Sequence, residues 1–128
     1  MNNTSGINNV AVGSESLCSN TTGTQNTAVG MNAVRNSSTA CNNTGLGYGA
    51  GFGLTTGNHN TAIGGCSMYC GLSSCCNVAV GFASLVSTCG TCFNTAVGTR
   101  ALLENTTGSY NTAVGGSSMG CNTTGAKN

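Results

Sequence analysis

Large apolar residues are sparse in this chain, and they fall at fixed intervals among small and polar ones. The phrase Asn-Thr-Ala-Val-Gly stands at 26–30, 94–98 and 111–115, with close variants beginning at 9, 43, 60 and 77. Their first residues are Asn9, Asn26, Asn43, Asn60, Asn77, Asn94 and Asn111, and Asn128 opens one more. Every step is 17 residues, without insertion or deletion. With each repeat numbered 1–17 from its Asn, position 2 is Thr or Val, position 3 Ala or Gly, position 4 Val, Leu or Ile, and position 5 always Gly. Position 8 is Ala or Ser, position 9 is usually Leu, Met or Val, and positions 12–15 favour Asn-Thr-Thr-Gly.

A period this short cannot hold a helix pair, whose repeats run to about 33–47 residues, but it suits one lap of a β-solenoid. Positions 2–4 predict a short strand in which side chains 2 and 4 share one face and side chain 3 the other. Gly at 5 supplies a corner, and Asn-Thr-Thr-Gly marks a second turn. The expected fold is all-β: a parallel β-solenoid, or β-roll, of 17-residue coils stacked in register about 4.8 Å apart. Residues 1–128 form a single array, a partial coil 1–8 followed by coils starting at 9, 26, 43, 60, 77, 94 and 111. Beginning and ending mid-coil, it is expected to be a segment of a longer fibre.

Stacking turns positions into columns. Val12, Val29, Leu46, Ile63, Val80, Val97 and Val114 are expected as the structural core, with Leu17, Val34, Met68, Leu85, Leu102 and Met119 as a second inner ladder. Asn9, Asn26, Asn43, Asn60, Asn77, Asn94 and Asn111 should hydrogen-bond amide to amide along the axis. Ala11, Ala28, Gly45, Ala62, Ala79, Ala96 and Ala113 then face outward. A small apolar outer column implies close packing, against another layer of the same coil or against further copies around a common axis.

Composition narrows the function. Charged residues make up 4% and the formal net charge is +1, which leaves no electrostatic footprint for nucleic acid. No apolar run approaches the length of about 18 residues needed to span a membrane, and the first residues do not form a secretory signal. Asp is absent, His59 is the only histidine, and Glu15 and Glu104 lie too far apart to form an acid–base pair, so no catalytic constellation is expected. His59 reads as an exposed turn residue, and Arg100 with Glu104 as a surface pair. Gly45-x-Gly47-x-x-Ala50 resembles a dinucleotide fingerprint but lacks the βαβ context, so no cofactor is expected.

Of the nine cysteines, Cys66, Cys70, Cys75 and Cys76 lack the paired knuckles of a zinc site, and no metal is expected. Cys75 and Cys92 both occupy position 16. Adjacent coils place their Cα atoms about 4.8 Å apart, within the disulfide range of roughly 4.4–6.8 Å, which makes them the disulfide candidate. A bridge there implies an oxidising compartment. Asn-x-Ser/Thr sequons begin at Asn2, Asn3, Asn20, Asn36, Asn42, Asn105 and Asn122, as an Asn/Thr-rich chain produces by composition.

Asn94–Gly98, followed by Ala101–Leu102 and Asn105–Gly108, resembles the repeats of viral and phage tail-fibre proteins. It is also similar to the head repeats of trimeric autotransporter adhesins, whose phrase is Asn-Ser-Val-Ala-Ile-Gly. The resemblance implies a left-handed β-roll, a homotrimer, and a place on a virion or in the extracellular space as an attachment fibre or adhesin with a glycan or other cell-surface ligand. Two other readings stand beside it: an ice-binding or surface-templating solenoid, and an extracellular filament subunit without a receptor. Against ice binding, Thr27, Thr44, Thr61, Thr95 and Thr112 share the face assigned to the interior.

Overall fold

A computed structural model describes residues 2–128; Met1, at the head of the partial coil 1–8, lies outside the described residues. Seven three-residue strands cover positions 2–4 of the successive coils: β1 (Val10–Val12), β2 (Thr27–Val29), β3 (Thr44–Leu46), β4 (Thr61–Ile63), β5 (Val78–Val80), β6 (Thr95–Val97) and β7 (Thr112–Val114). They form one parallel sheet in chain order. Register is like on like, with Thr27 beside Thr44 and Val29 beside Leu46. The chain is therefore a β-solenoid of 17-residue coils.

Hydrogen bonding continues around the lap. In coil 2, which begins at Asn26, the Thr27 N–H donates to Asn43 O at 2.8 Å and the Gly30 N–H reaches back to Val12 O at 2.8 Å. Further on, the Val34 N–H donates to Ala50 O at 2.9 Å and the Ser38 N–H to Thr55 O at 3.0 Å. Such complete pairing is what buried backbone requires.

Corners are made by left-handed residues at positions 5, 7, 9 and 17. Gly at 5 has φ between 115° and 132°, and a Cβ on Gly30 would lie 2.6 Å from Gly47 O. Only glycine fits there. The other corners carry side chains: Glu15 (φ 57°), Leu17 (φ 47°) and Gln25 (φ 59°) set the pattern for positions 7, 9 and 17. Val34 holds φ 47° although it is β-branched, a conformation that the coils above and below must impose.

The two faces of the sheet are the reverse of the expectation. Ala28, Gly45, Ala62, Ala79, Ala96 and Ala113 are buried, and Ala11 is exposed, in the first coil. The column of Val12, Val29, Leu46, Ile63, Val80, Val97 and Val114, expected as the core, lies on the outer face, with Val12 56% and Val114 68% exposed. Position 1 decides the matter. Side chains 1 and 3 share a strand face, the asparagines at 1 point inward, and position 3 must follow. The small column is thus packed by its own coil and its neighbours. A Cβ on Gly45 would meet Val34 Cγ2 at 2.5 Å and Ala50 O at 2.8 Å, so in coil 3 the interior has no room even for Ala.

The second ladder is inside as expected: Leu17, Val34, Met68, Leu85 and Leu102 are fully buried, the first two in one cluster and the last three in another, against which Met119 packs. Coil 3 lacks it, since position 9 is Gly51. Leu54 fills the gap from position 12, its Cδ1 2.9 Å from where a Gly51 Cβ would sit. Gly49 is overlaid by the Tyr69 ring in the same way, at 3.0 Å. The glycine-rich stretch 45–53 is a local repacking of one coil.

Candidate interaction surface

Asparagine is the residue that aims every coil. Asn43 Oδ1 accepts the Asn60 N–H at 2.9 Å and Asn60 Nδ2 at 3.1 Å, and Asn60 Nδ2 also donates to Ser74 O at 2.6 Å. The same set recurs at Asn26, Asn77 and Asn94. The expected amide ladder is present and does more than expected: it replaces the backbone acceptor that position 1 would otherwise lack. With 1 and 3 turned in, positions 2 and 4 are turned out along all seven strands.

The outer sheet face that results is uncharged and dominated by β-branched side chains. It presents Thr27, Thr44, Thr61, Thr95 and Thr112 with Val10 and Val78 in one column, and the misassigned Val/Leu/Ile column in the other. Among the described residues, these threonine hydroxyls have no partner within the chain. On the turn edge, by contrast, hydroxyls are used internally: Thr21 Oγ1 donates to Ser38 O at 2.9 Å and Thr106 Oγ1 to Thr123 O at 3.0 Å. Residues bordering the strands add apolar surface, with Met31, Tyr48 and Phe82 exposed at position 6. At position 17, Phe93 and Tyr110 stack at 4.9 Å with planes 16° apart.

Charge is kept off this face. Glu15 and Arg100 sit at position 7, Arg35 at 10 and Glu104 at 11; Lys127, at 17, is the one charge on its border. The ion pair that forms is Arg35 Nε to Glu15 Oε2 at 2.8 Å, not the expected Arg100–Glu104. Arg35 also lies 5.8 Å from the Phe52 ring centre, and Phe52 stacks on Tyr69 at 4.7 Å. These groups are half-buried or exposed, so the pair contributes little stability. His59 is an exposed corner residue with φ 59°.

The cysteine columns differ from expectation in chemistry rather than in register. Cys75 and Cys92 are parallel bridge partners, and all nine cysteines are free thiols. In-register neighbours have parallel Cβ vectors, which keeps their Cβ atoms near the strand spacing of about 4.8 Å, beyond the roughly 3.5–4.5 Å that a bridge prefers. Position 16 has another use. Its side-chain heteroatom accepts the N–H of position 16 in the coil before: Cys41 Sγ from Thr24 at 3.3 Å, Asn58 Oδ1 from Cys41 at 2.7 Å, Cys75 Sγ from Asn58 at 3.5 Å, and Ser109 Oγ from Cys92 at 3.1 Å. Cys, Asn and Ser look unrelated by letter. All carry an acceptor close to the backbone, and that was the missed signal.

Four of the sequons begin at Asn3, Asn20, Asn105 and Asn122, which are members of an inner position 12 column whose amides are already bonded. Among the described residues no group of three or more His, Cys, Asp or Glu could hold a metal ion, and no helix is long and apolar enough to cross a membrane. Compared with protein-family models, curated proteins and solved structures, the chain matches none.

Proposed function

We propose that this chain is a structural segment of a viral tail or surface fibre or of an adhesin. It is a stiff rod without catalytic activity that self-associates through its outer sheet face and holds a recognition surface for host or matrix attachment. The observation that carries this reading is the uncharged face of positions 2 and 4, dominated by β-branched side chains. Over seven coils positions 2–4 span on the order of 340 Å² by strand spacing and rise, within the 300–600 Å² or so of the largest, often functional, apolar patch of a typical monomer.

A second copy offers the same columns at the same repeat, so each coil meets a matching coil along the whole rod. Closed cyclic symmetry then buries all copies of the face, and a homotrimer is the state that the tail-fibre and adhesin resemblance implies. Repeated hydroxyls and amides on the remaining edges suit many weak contacts to glycans or other cell-surface ligands, at a virion surface or in the extracellular space.

Light scattering and sedimentation of the dilute protein test this. The expected mass is three times the 12.5 kDa of one chain. Val80→Lys with Val97→Lys, both on the outer face, should yield monomer with an unchanged far-UV spectrum. A monodisperse wild-type monomer defeats the reading, as does a variant that assembles normally.

One observation favours a second reading. The threonine column, though interrupted by Val10 and Val78, lies on the outer face, which removes the objection that it points inward, and its repeated hydroxyls are a surface that ordered water could match. Thermal hysteresis of the purified protein decides for that alternative. A filament subunit without a receptor differs from an adhesin in failing cell-binding assays.

A further inference from the structure

Position 12 carries the second asparagine column, and its intact members perform two tasks with one amide group. Nδ2 donates to the position 15 carbonyl of its own coil: Asn20 to Gly23 O at 3.1 Å, Asn105 to Gly108 O at 2.8 Å and Asn122 to Gly125 O at 3.0 Å. Where the coil before also has Asn, the same Nδ2 donates to its Oδ1: Asn20 to Asn3 at 3.1 Å and Asn122 to Asn105 at 2.8 Å. The position 15 carbonyl thereby accepts two amide donors. Gly23 O takes Asn9 Nδ2 at 2.8 Å as well as Asn20, and Gly108 O takes Asn94 Nδ2 at 3.0 Å as well as Asn105.

Coil 2 breaks this column, because Ser37 stands at position 12. The Ser37 hydroxyl and Asn20 Oδ1 are buried in residues with 0% exposure, and neither has a protein partner. Ala40 O, at position 15, accepts one amide donor, Asn26 Nδ2 at 2.7 Å, where Gly23 O accepts two. Ala40 O and Asn20 Oδ1 are the two nearest atoms to where a Cβ on Gly23 would sit. Two acceptors thus face the place where the intact coils put an amide NH2, and Ser37 supplies a hydroxyl at that position of the column. Serine is two heavy atoms shorter than asparagine, a deficit close to the roughly 30 Å³ share of one water molecule.

We propose that the break between Asn20 and Ser37 binds one structural water. The water donates one hydrogen to Asn20 Oδ1 and one to Ala40 O, as the missing NH2 would, and accepts from the Ser37 hydroxyl. Three partners is the usual number for a buried water. A cation in its place would want six or more oxygens with carboxylate among them, and this site is uncharged. Coil 5 is different. Thr88 at position 12 and Thr91 at position 15 are fully buried with hydroxyls that have no protein partner. But Thr91 O already accepts both Asn77 Nδ2 at 2.8 Å and the Cys75 N–H at 3.1 Å, and Gly71 of the coil before offers no amide oxygen.

Two measurements on the full chain test the Asn20–Ser37 site. A high-resolution crystal structure should show one density peak within hydrogen-bond distance of Asn20 Oδ1, Ser37 Oγ and Ala40 O. Water-oxygen magnetic relaxation dispersion counts long-lived internal waters, and Ser37→Asn should lower that count by one relative to wild type. The idea is overturned by a direct Ser37 Oγ–Asn20 Oδ1 hydrogen bond in the wild-type crystal, or by coordination distances of a metal ion at the peak. It is also overturned by a folded Ser37→Asn protein with an unchanged water count.

Discussion

The position 1 and position 12 columns use the same residue on the same interior, yet one tolerates no exception and the other has four. The difference lies in the backbone. At position 1 each Oδ1 accepts the next coil's main-chain N–H, for instance Asn77 N at 3.1 Å from Asn60, so that side chain is a rung of the parallel ladder itself. At position 12 the main chain already closes its own turn, with the Asn20 N–H on Leu17 O at 3.2 Å and the Asn105 N–H on Leu102 O at 3.3 Å. There the amide joins side chains and one carbonyl, and Ser37, Leu54, Gly71 and Thr88 can replace it. What a column permits depends on whether the backbone relies on it.

The sharpest way to break this comparison is Asn60→Ala. It orphans the Asn77 N–H and leaves Ser74 O without its amide donor, both buried, at about 1–3 kcal/mol each. A loss of about 3 kcal/mol or more is expected in denaturant melts. Hydrogen exchange should localise the opening to the coils around Asn60, because solenoid stability is a sum over neighbours. Asn60→Ser should cost nearly as much, since a hydroxyl cannot reach all four partners.

Next comes Asn105→Ala, which takes one of two acceptors from Asn122 Nδ2 and one of two donors from Gly108 O but orphans no main-chain group; about 1–2 kcal/mol is expected from the same melts. If the two alanine variants lose equal stability, the distinction between the columns fails. Smaller still is Asn105→Ser, within about 1 kcal/mol, because coil 2 already runs with Ser37. The smallest contrast is at position 16, where Cys41→Ser should be neutral and Cys41→Ala should cost about 0.5–1.5 kcal/mol by losing the acceptor for the Thr24 N–H.

Period, strand position, register and the amide ladder could all be read from the sequence, because strict spacing forces equivalent residues onto one line. The inner and outer faces could not. Alternation says that Ala28 opposes Thr27 and Val29, but hydrophobicity then points the wrong way, since valine looks more like core than alanine does. The clue was Asn26, two residues from Ala28 and on the same side. Corners at Glu15, Leu17 and Gln25 were invisible for another reason: left-handed backbone is sought at glycine, and here stacking imposes it on ordinary residues. The position 16 acceptors needed columns compared by chemistry instead of by letter, and the uncharged outer face emerged only once the sheet was turned the right way round.

The alanine interior has an architectural consequence. An interior with methyls on one wall and a single apolar ladder on the other has no large central mass to rearrange, and each storey rests on the one below through matching fittings. Whole storeys can therefore be duplicated or removed in evolution without redesigning the rest, provided the cut falls at the same point of the lap. Reach becomes a heritable dimension, adjustable in steps of about 4.8 Å, while the cross-section that neighbouring molecules meet stays the same.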